Sequence, residues 1–150
     1  MPLKVKLADK KRKFELAFQG LRKVLKPYDK KLRVLKDDAG NYMSESKSLR
    51  YRGRPVMFVS IVSKSYVAFH LFPVYMFPEL LKGISPALKK RMQGKTCWNF
   101  TKAEGDLFAE LGELVGASFR RFLDLGERDL TREDLLAVVP ALSSGPKKKS

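Results

Sequence analysis

Val56-Met57-Phe58-Val59-Ser60-Ile61-Val62-Ser63-Lys64-Ser65-Tyr66-Val67-Ala68-Phe69-His70-Leu71-Phe72 is the stretch on which the fold turns. Two runs rich in β-branched and aromatic residues, 56 to 62 and 66 to 72, flank a short polar break, the pattern of a β-hairpin. A two-residue turn at Ser63-Lys64 sets Val62 opposite Ser65, Phe58 opposite Phe69 and Met57 opposite His70. Alternation then gives one face Val56, Phe58, Ser60, Val67, Phe69 and Leu71, and the other Met57, Val59, Ile61, Tyr66, Ala68 and His70. Both faces are mostly apolar, so the second needs a cover as well: a helix, a second subunit or a ligand. A slip of one residue in the turn reshuffles every pair.

Upstream, residues 31 to 51 keep the period of two. Leu32 to Lys36 and Tyr42 to Glu45 flank the turn-rich Asp37-Asp38-Ala39-Gly40-Asn41, and Arg52-Gly53 marks a second turn. Further back, Phe14, Ala17, Phe18, Leu21, Val24, Leu25 and Tyr28 recur at steps of three and four, which predicts a helix over 9 to 26, capped by Asp9 and closed by Pro27. Arg12, Arg22, Lys23 and Lys26 share a flank of this helix, either a solvated face or an anion-facing edge.

Downstream, the prolines at 73 and 78 predict an extended or turning segment, and one helical turn follows up to Gly83. Ser85-Pro86 reads as an N-cap with proline at the first helical position, opening a short helix that stops at Gly94. Residues 95 to 100 make one more strand. Thr101-Lys102-Ala103-Glu104 is a capping box opening a helix whose stripe is Leu107, Leu111, Leu114, Val115, Ser118, Phe119 and Phe122. A last short helix, capped by Thr131, falls within 130 to 142. The order predicts an α+β domain over residues 1 to 142, an antiparallel β-sheet packed against an N-terminal helix and a long C-terminal helix. Residues 1 to 8 are expected to be flexible, and the lysine-rich residues 143 to 150 to form a disordered basic tail.

The net charge of +15 is lopsided: residues 1 to 100 carry 23 Lys or Arg against 7 Asp or Glu, and residues 101 to 150 carry 8 against 9. That imbalance favours anionic partners. A single cysteine, Cys97, excludes an internal disulfide, and the Lys-rich start has no signal-like apolar stretch; both lead to the expectation of a cytoplasmic protein. The apolar run from 65 to 81 is interrupted by Ser, His and Pro, so no membrane partner is expected.

Lys64-Ser65-Tyr66-Val67-Ala68-Phe69-His70-Leu71, then Pro73-Val74-Tyr75-Met76, then residues 84 to 100 with Gly94-Lys95-Thr96-Cys97-Trp98, resemble the YdhG-like family of small bacterial domains of unknown function. The resemblance spans roughly residues 50 to 122 and implies a compact α+β domain with an antiparallel sheet; it supplies no catalytic residues. Some of its members are labelled frataxin-like iron chaperones. Here the only acidic group on an accessible helix face is Asp106, Glu110 and Glu113, which read as ordinary solvated residues. No metal or cofactor is expected.

Catalytic signatures are thin. His70 and Cys97 form a base and thiol pair only if their strands neighbour each other, and a lone cysteine in an apolar strand is usually a small buried hydrophobe, so no enzyme activity is expected. Two binding surfaces are therefore weighed. The leading one is a basic groove for nucleic acid or another polyanion, built from Lys89, Arg91 and Lys95 with Arg50 and Arg52. The alternative is a small-molecule pocket, or a homodimer interface, on the sheet face carrying Tyr66 and His70, with Met57, Tyr75, Cys97 and Trp98 around it.

Overall fold

Turn chemistry sets the sheet. In the computed structural model, which describes residues 3 to 138, β1 (Leu32–Asp38) and β2 (Asn41–Tyr51) meet across Ala39-Gly40, and the Asp38 carboxylate accepts the Gly40 N–H at 3.3 Å. β3 (Arg54–Ser63) follows across Arg52-Gly53, both at positive φ, 51° and 82°. That is the backbone of the turn best matched to strand twist, and Gly53 carries it without steric cost while Arg52 does not. β4 (Val67–Leu71) and β5 (Cys97–Phe100) complete the antiparallel order β1-β2-β3-β4-β5. A two-residue β6 (Asp129–Leu130) joins β2 in parallel at Arg50 and Tyr51, beyond the point where β1 has left it.

The central hairpin departs from the expected register. Ser63 pairs with Val67, so three residues, 64 to 66, make the turn, and the Lys64 N–H donates to the Tyr66 carbonyl at 2.9 Å. Phe69 therefore faces Ile61 rather than Phe58, and His70 faces Ser60 rather than Met57. Val59, Ile61, Val67, Phe69 and Leu71 share the helix-covered face, and all are fully buried. Phe58 reaches the same side because β2 and β3 slip between Ser44–Val59 and Glu45–Met57, a bulge that re-aims one side chain. The opposite face carries Met43, Ser60, Ala68, His70 and Asn99, mixed in polarity, so the need for a second cover disappears.

Helix α1 (Leu3–Leu25) starts six residues before Asp9. Asp9 is no cap; it pairs with Lys13 one turn on at 3.5 Å. Residues 3 to 8, expected to be flexible, belong to the helix: lysine, leucine and alanine are all good helix formers. Its second half buries Phe14, Ala17, Phe18, Leu21 and Leu25. Arg22 does not face anions in solvent. Its guanidinium spans Asp29 (2.9 Å) and Asp37 (2.9 and 3.0 Å) over the Tyr42 ring, which raises the arginine's pKa and lowers that of Asp37, tying α1 to the first hairpin.

Helix α4 (Gly105–Leu125) buries its whole expected stripe, with Phe108 added. Phe119 and Phe122 pack on Phe58 with centroids 5.9 and 5.4 Å apart, and each buried aromatic of this kind contributes about 1.5–3 kcal/mol. The expected capping box is not used: Glu104 holds the N-cap position without a side-chain cap bond, because its carboxylate is clamped by Arg91. α2 (Pro73–Met76) is a helical turn where an extended or turning segment was expected, since proline lacks only an N–H that the first helical position leaves unpaired anyway. α3 (Pro86–Lys89) ends before Gly94, and residues 91 to 93 instead run along the edge of β5. Its Ser85 cap is as expected, the hydroxyl accepting the Leu88 N–H at 3.1 Å. In α5 (Arg132–Val138), Thr131 and Asp134 cap each other reciprocally. Residues 139 to 142 of the expected last helix, and the basic tail at 143 to 150, lie outside the described residues. Among the described residues no helix is long and apolar enough to cross a membrane.

Candidate functional surfaces

The basic residues singled out from sequence do not form one groove. Arg91 is committed to Glu104, Nε to Oε2 at 2.7 Å and Nη2 to Oε1 at 2.8 Å, which raises the arginine's pKa and lowers that of the glutamate. Lys89 sits exposed on α3 beside α4. Arg50, Arg52 and Lys95 are exposed at the opposite end of the sheet from the β3–β4 turn and form no ion pair among the described residues.

A denser cationic site lies where no site residue was expected. The first half of α1 crosses the sheet end at which β3 turns into β4 and β5 runs into α4. Residues 6 to 13 are all exposed. They border a cleft of about 350 Å³ with Ser65 from the turn and Thr101 and Lys102 from the loop opposite. Lys6, Lys10, Lys13 and Lys102 line it, and the one carboxylate there among the described residues, Asp9, pairs with Lys13. On the other flank of α1 a wider groove of about 1150 Å³ brings in Lys11, Lys23 and Lys64 together with Glu15 and Asp38. The β3–β4 turn stands between the two, Lys64 on one side and Ser65 on the other, with Tyr66 beside them 43% exposed. The predicted helix over 9 to 26 already held Lys10 and Lys13; its start at Leu3 adds Lys6 to the same helix.

The expected pocket around Tyr66 and His70 is dispersed in the same way. Tyr66 stands at the turn, and Trp98 is fully buried on the helix side, its ring 6.5 Å from Phe69. Met57 and Tyr75 do line a cavity, at the far end of the sheet. It holds about 390 Å³ between the start of β3, α2 and β6, walled by Tyr51, Val56, Met57, Phe72, Met76 and Leu130.

His70 and Cys97 are cross-strand partners, so the condition for a base and thiol pair is met in register. The chemistry is not. Burial lowers His70 and raises Cys97, which holds both neutral near pH 7, and the thiol donates to Asn99 Oδ1 at 3.4 Å while the imidazole stacks on Phe72 at 6.0 Å. Glu110 of the acidic trio is likewise occupied, accepting the Ser85 N–H at 2.6 Å and its hydroxyl at 2.7 Å. Among the described residues no three His, Cys, Asp or Glu side chains gather as a metal site.

Comparison with family models, with curated proteins and with solved structures finds no match to this chain, so its geometry and charge carry the functional argument.

Proposed function

We propose that this chain is a non-enzymatic nucleic-acid-binding domain of the bacterial cytoplasm, related to the YdhG-like family, that holds phosphate groups across the lysine cleft at the N-terminal half of α1. The observation that carries this reading is the meeting of Lys6, Lys10, Lys13 and Lys102 around one cleft where, among the described residues, the only carboxylate is already paired. Lysines act as point charges on phosphate and give affinity without reading sequence, so binding is to the backbone. Ser65 and Thr101 add hydroxyl donors at the cleft wall. Tyr66, exposed in the same turn as Ser65, offers a ring on which an unpaired base can stack, which favours single strands over duplex.

The test is fluorescence anisotropy with labelled oligonucleotides over a salt series. On single strands the expected slope of log affinity against log salt is about −0.7 per phosphate contact. Replacing Lys6, Lys10 and Lys102 by glutamine flattens that slope, whereas replacing Lys89 and Lys95 leaves it nearly unchanged. Absence of binding at low salt, or equal loss from both sets of substitutions, overturns the reading.

A further inference from the structure

The cavity at the other end of the sheet is a separate site. We propose that it binds a small carboxylic acid with an apolar tail, Arg54 serving as the counter-ion. Its volume of about 390 Å³ lies at the lower end of the range in which small ligands are held, roughly 300–1,000 Å³. Val56, Met57, Phe72, Met76 and Leu130 give it hydrocarbon and aromatic walls, which demand an apolar occupant. Two methionines on one lining suit a flexible chain, because an unbranched thioether re-packs around irregular shapes.

The polar side chains on the lining are few, and each can donate a hydrogen bond. Arg54 supplies the cation and Thr96 a hydroxyl, beside the rings of Tyr51 and Tyr75; among the described residues no carboxylate lines the cavity. Asp129, across the turn, spends a carboxylate oxygen on the Gly53 N–H at 2.7 Å. Arg54 forms no ion pair among the described residues. Arg50 and Arg52 on the same turn, and Lys95 next to Thr96, keep this end of the molecule positive. One planar guanidinium at the edge of an apolar slot matches a carboxylate, which takes its two N–H groups at once. A polyphosphate or a sugar would leave most of its polar atoms against hydrocarbon.

The experiment uses the full chain labelled with ¹³C at its methionine methyls, titrated with octanoate, 1-octanol and octylamine below their aggregation limits. Octanoate is expected to shift the Met57 and Met76 signals saturably and to leave Met43 and Met92 in place. 1-Octanol is expected to bind about tenfold more weakly or worse, the ordinary worth of a charge-assisted hydrogen bond. Arg54→Gln, at an exposed position, should bring octanoate down to the level of the alcohol without moving the alcohol's own affinity, and Val56→Phe should reduce both. Shifts of equal size at Met43 and Met92, equal binding of octylamine, or no saturable shift with any of the three overturns the proposal. Oligonucleotide binding by Arg54→Gln is expected to match the wild type, so this site and the lysine cleft fail or hold independently.

Discussion

At one end of the sheet, α1 and two connecting segments border an open cleft of about 350 Å³ rimmed by lysine; at the other, a turn, a short helix and a two-residue strand border one of about 390 Å³ walled by side chains such as Met57, Phe72 and Met76. The volumes are alike and the chemistry is opposite. The difference comes from what borders each end. Long solvated side chains on an exposed helix attract at a distance but fix little, since each must give up rotamer freedom to hold one position. Side chains anchored on strands and behind prolines keep a shape without being held by a ligand. The lysine end is thus suited to any polyanion that follows a path, and the apolar end to one molecule of the right size.

The comparison breaks most decisively at the lysines. Changing Lys6, Lys10 and Lys102 together to glutamine is expected to lower single-strand affinity about 100-fold near 0.1 M salt, the product of three lost phosphate contacts. Circular dichroism should show an unchanged fold, and octanoate binding should stay as it is. Tyr66→Ala comes next: it should cost about 1–3 kcal/mol on single strands and almost nothing on duplex, measured as the ratio of the two affinities. Equal losses on both would reduce Tyr66 to a surface residue.

A third change tests how far the lysine end depends on the seat of α1. A Cβ at Gly20 would sit 2.8 Å from the Phe108 ring, which is itself wedged edge-on against Phe100 at 4.9 Å. Alanine gains about 1 kcal/mol of helix propensity, but overpacking costs about 1–3 kcal/mol, so the net effect is destabilising. Thermal denaturation of Gly20→Ala should show a lower Tm by a few degrees, about 2–4 °C per kcal/mol at this size. A higher Tm would mean that the Phe108 ring yields to the added methyl without losing its packing.

The smallest effect concerns His70, on the open face between the two ends. Burial holds it below its ordinary value, so in the window between the two values the unfolded chain binds a proton that the folded chain refuses. The stability this group contributes is full above about pH 6.5 and is lost as the pH falls through that window. Chemical denaturation at pH 7.5 and 5.5 should show a small drop for the wild type and a flatter response for His70→Gln.

Local signals in the sequence were reliable where nothing distant competed with them. The stripe from Leu107 to Phe122, the turns at Gly40 and Gly53 and the Ser85 cap all stand as the residues dictate. Distant partners overrode the rest. Thr101-Lys102-Ala103-Glu104 has the spacing of a capping box, yet Arg91 claims the glutamate, and no local pattern announces an arginine 13 residues away. Ser63, Lys64 and Ser65 are all acceptable in a turn and both registers bury apolar residues, so the β3–β4 pairing was undetermined until the helices chose a face. For the site, charge was legible and position was not. Lys89, Arg91 and Lys95 are near in sequence but differently engaged, whereas Lys6 and Lys102, far apart in sequence, line one cleft.

The two-residue strand β6 has a consequence in time as well as in space. Arg50 and Arg52 donate their amides to the carbonyls of Arg128 and Leu130 at 2.7 and 3.0 Å, and Leu130 is almost fully buried as a wall of the apolar cavity. So short a ladder is among the first to open in native-state fluctuations. Each opening swings one wall aside and bares those two amides to deuterium. Their exchange rate is therefore a clock for a hinged door, and a molecule lodged behind Leu130 would slow it while amides at the lysine end keep their own pace.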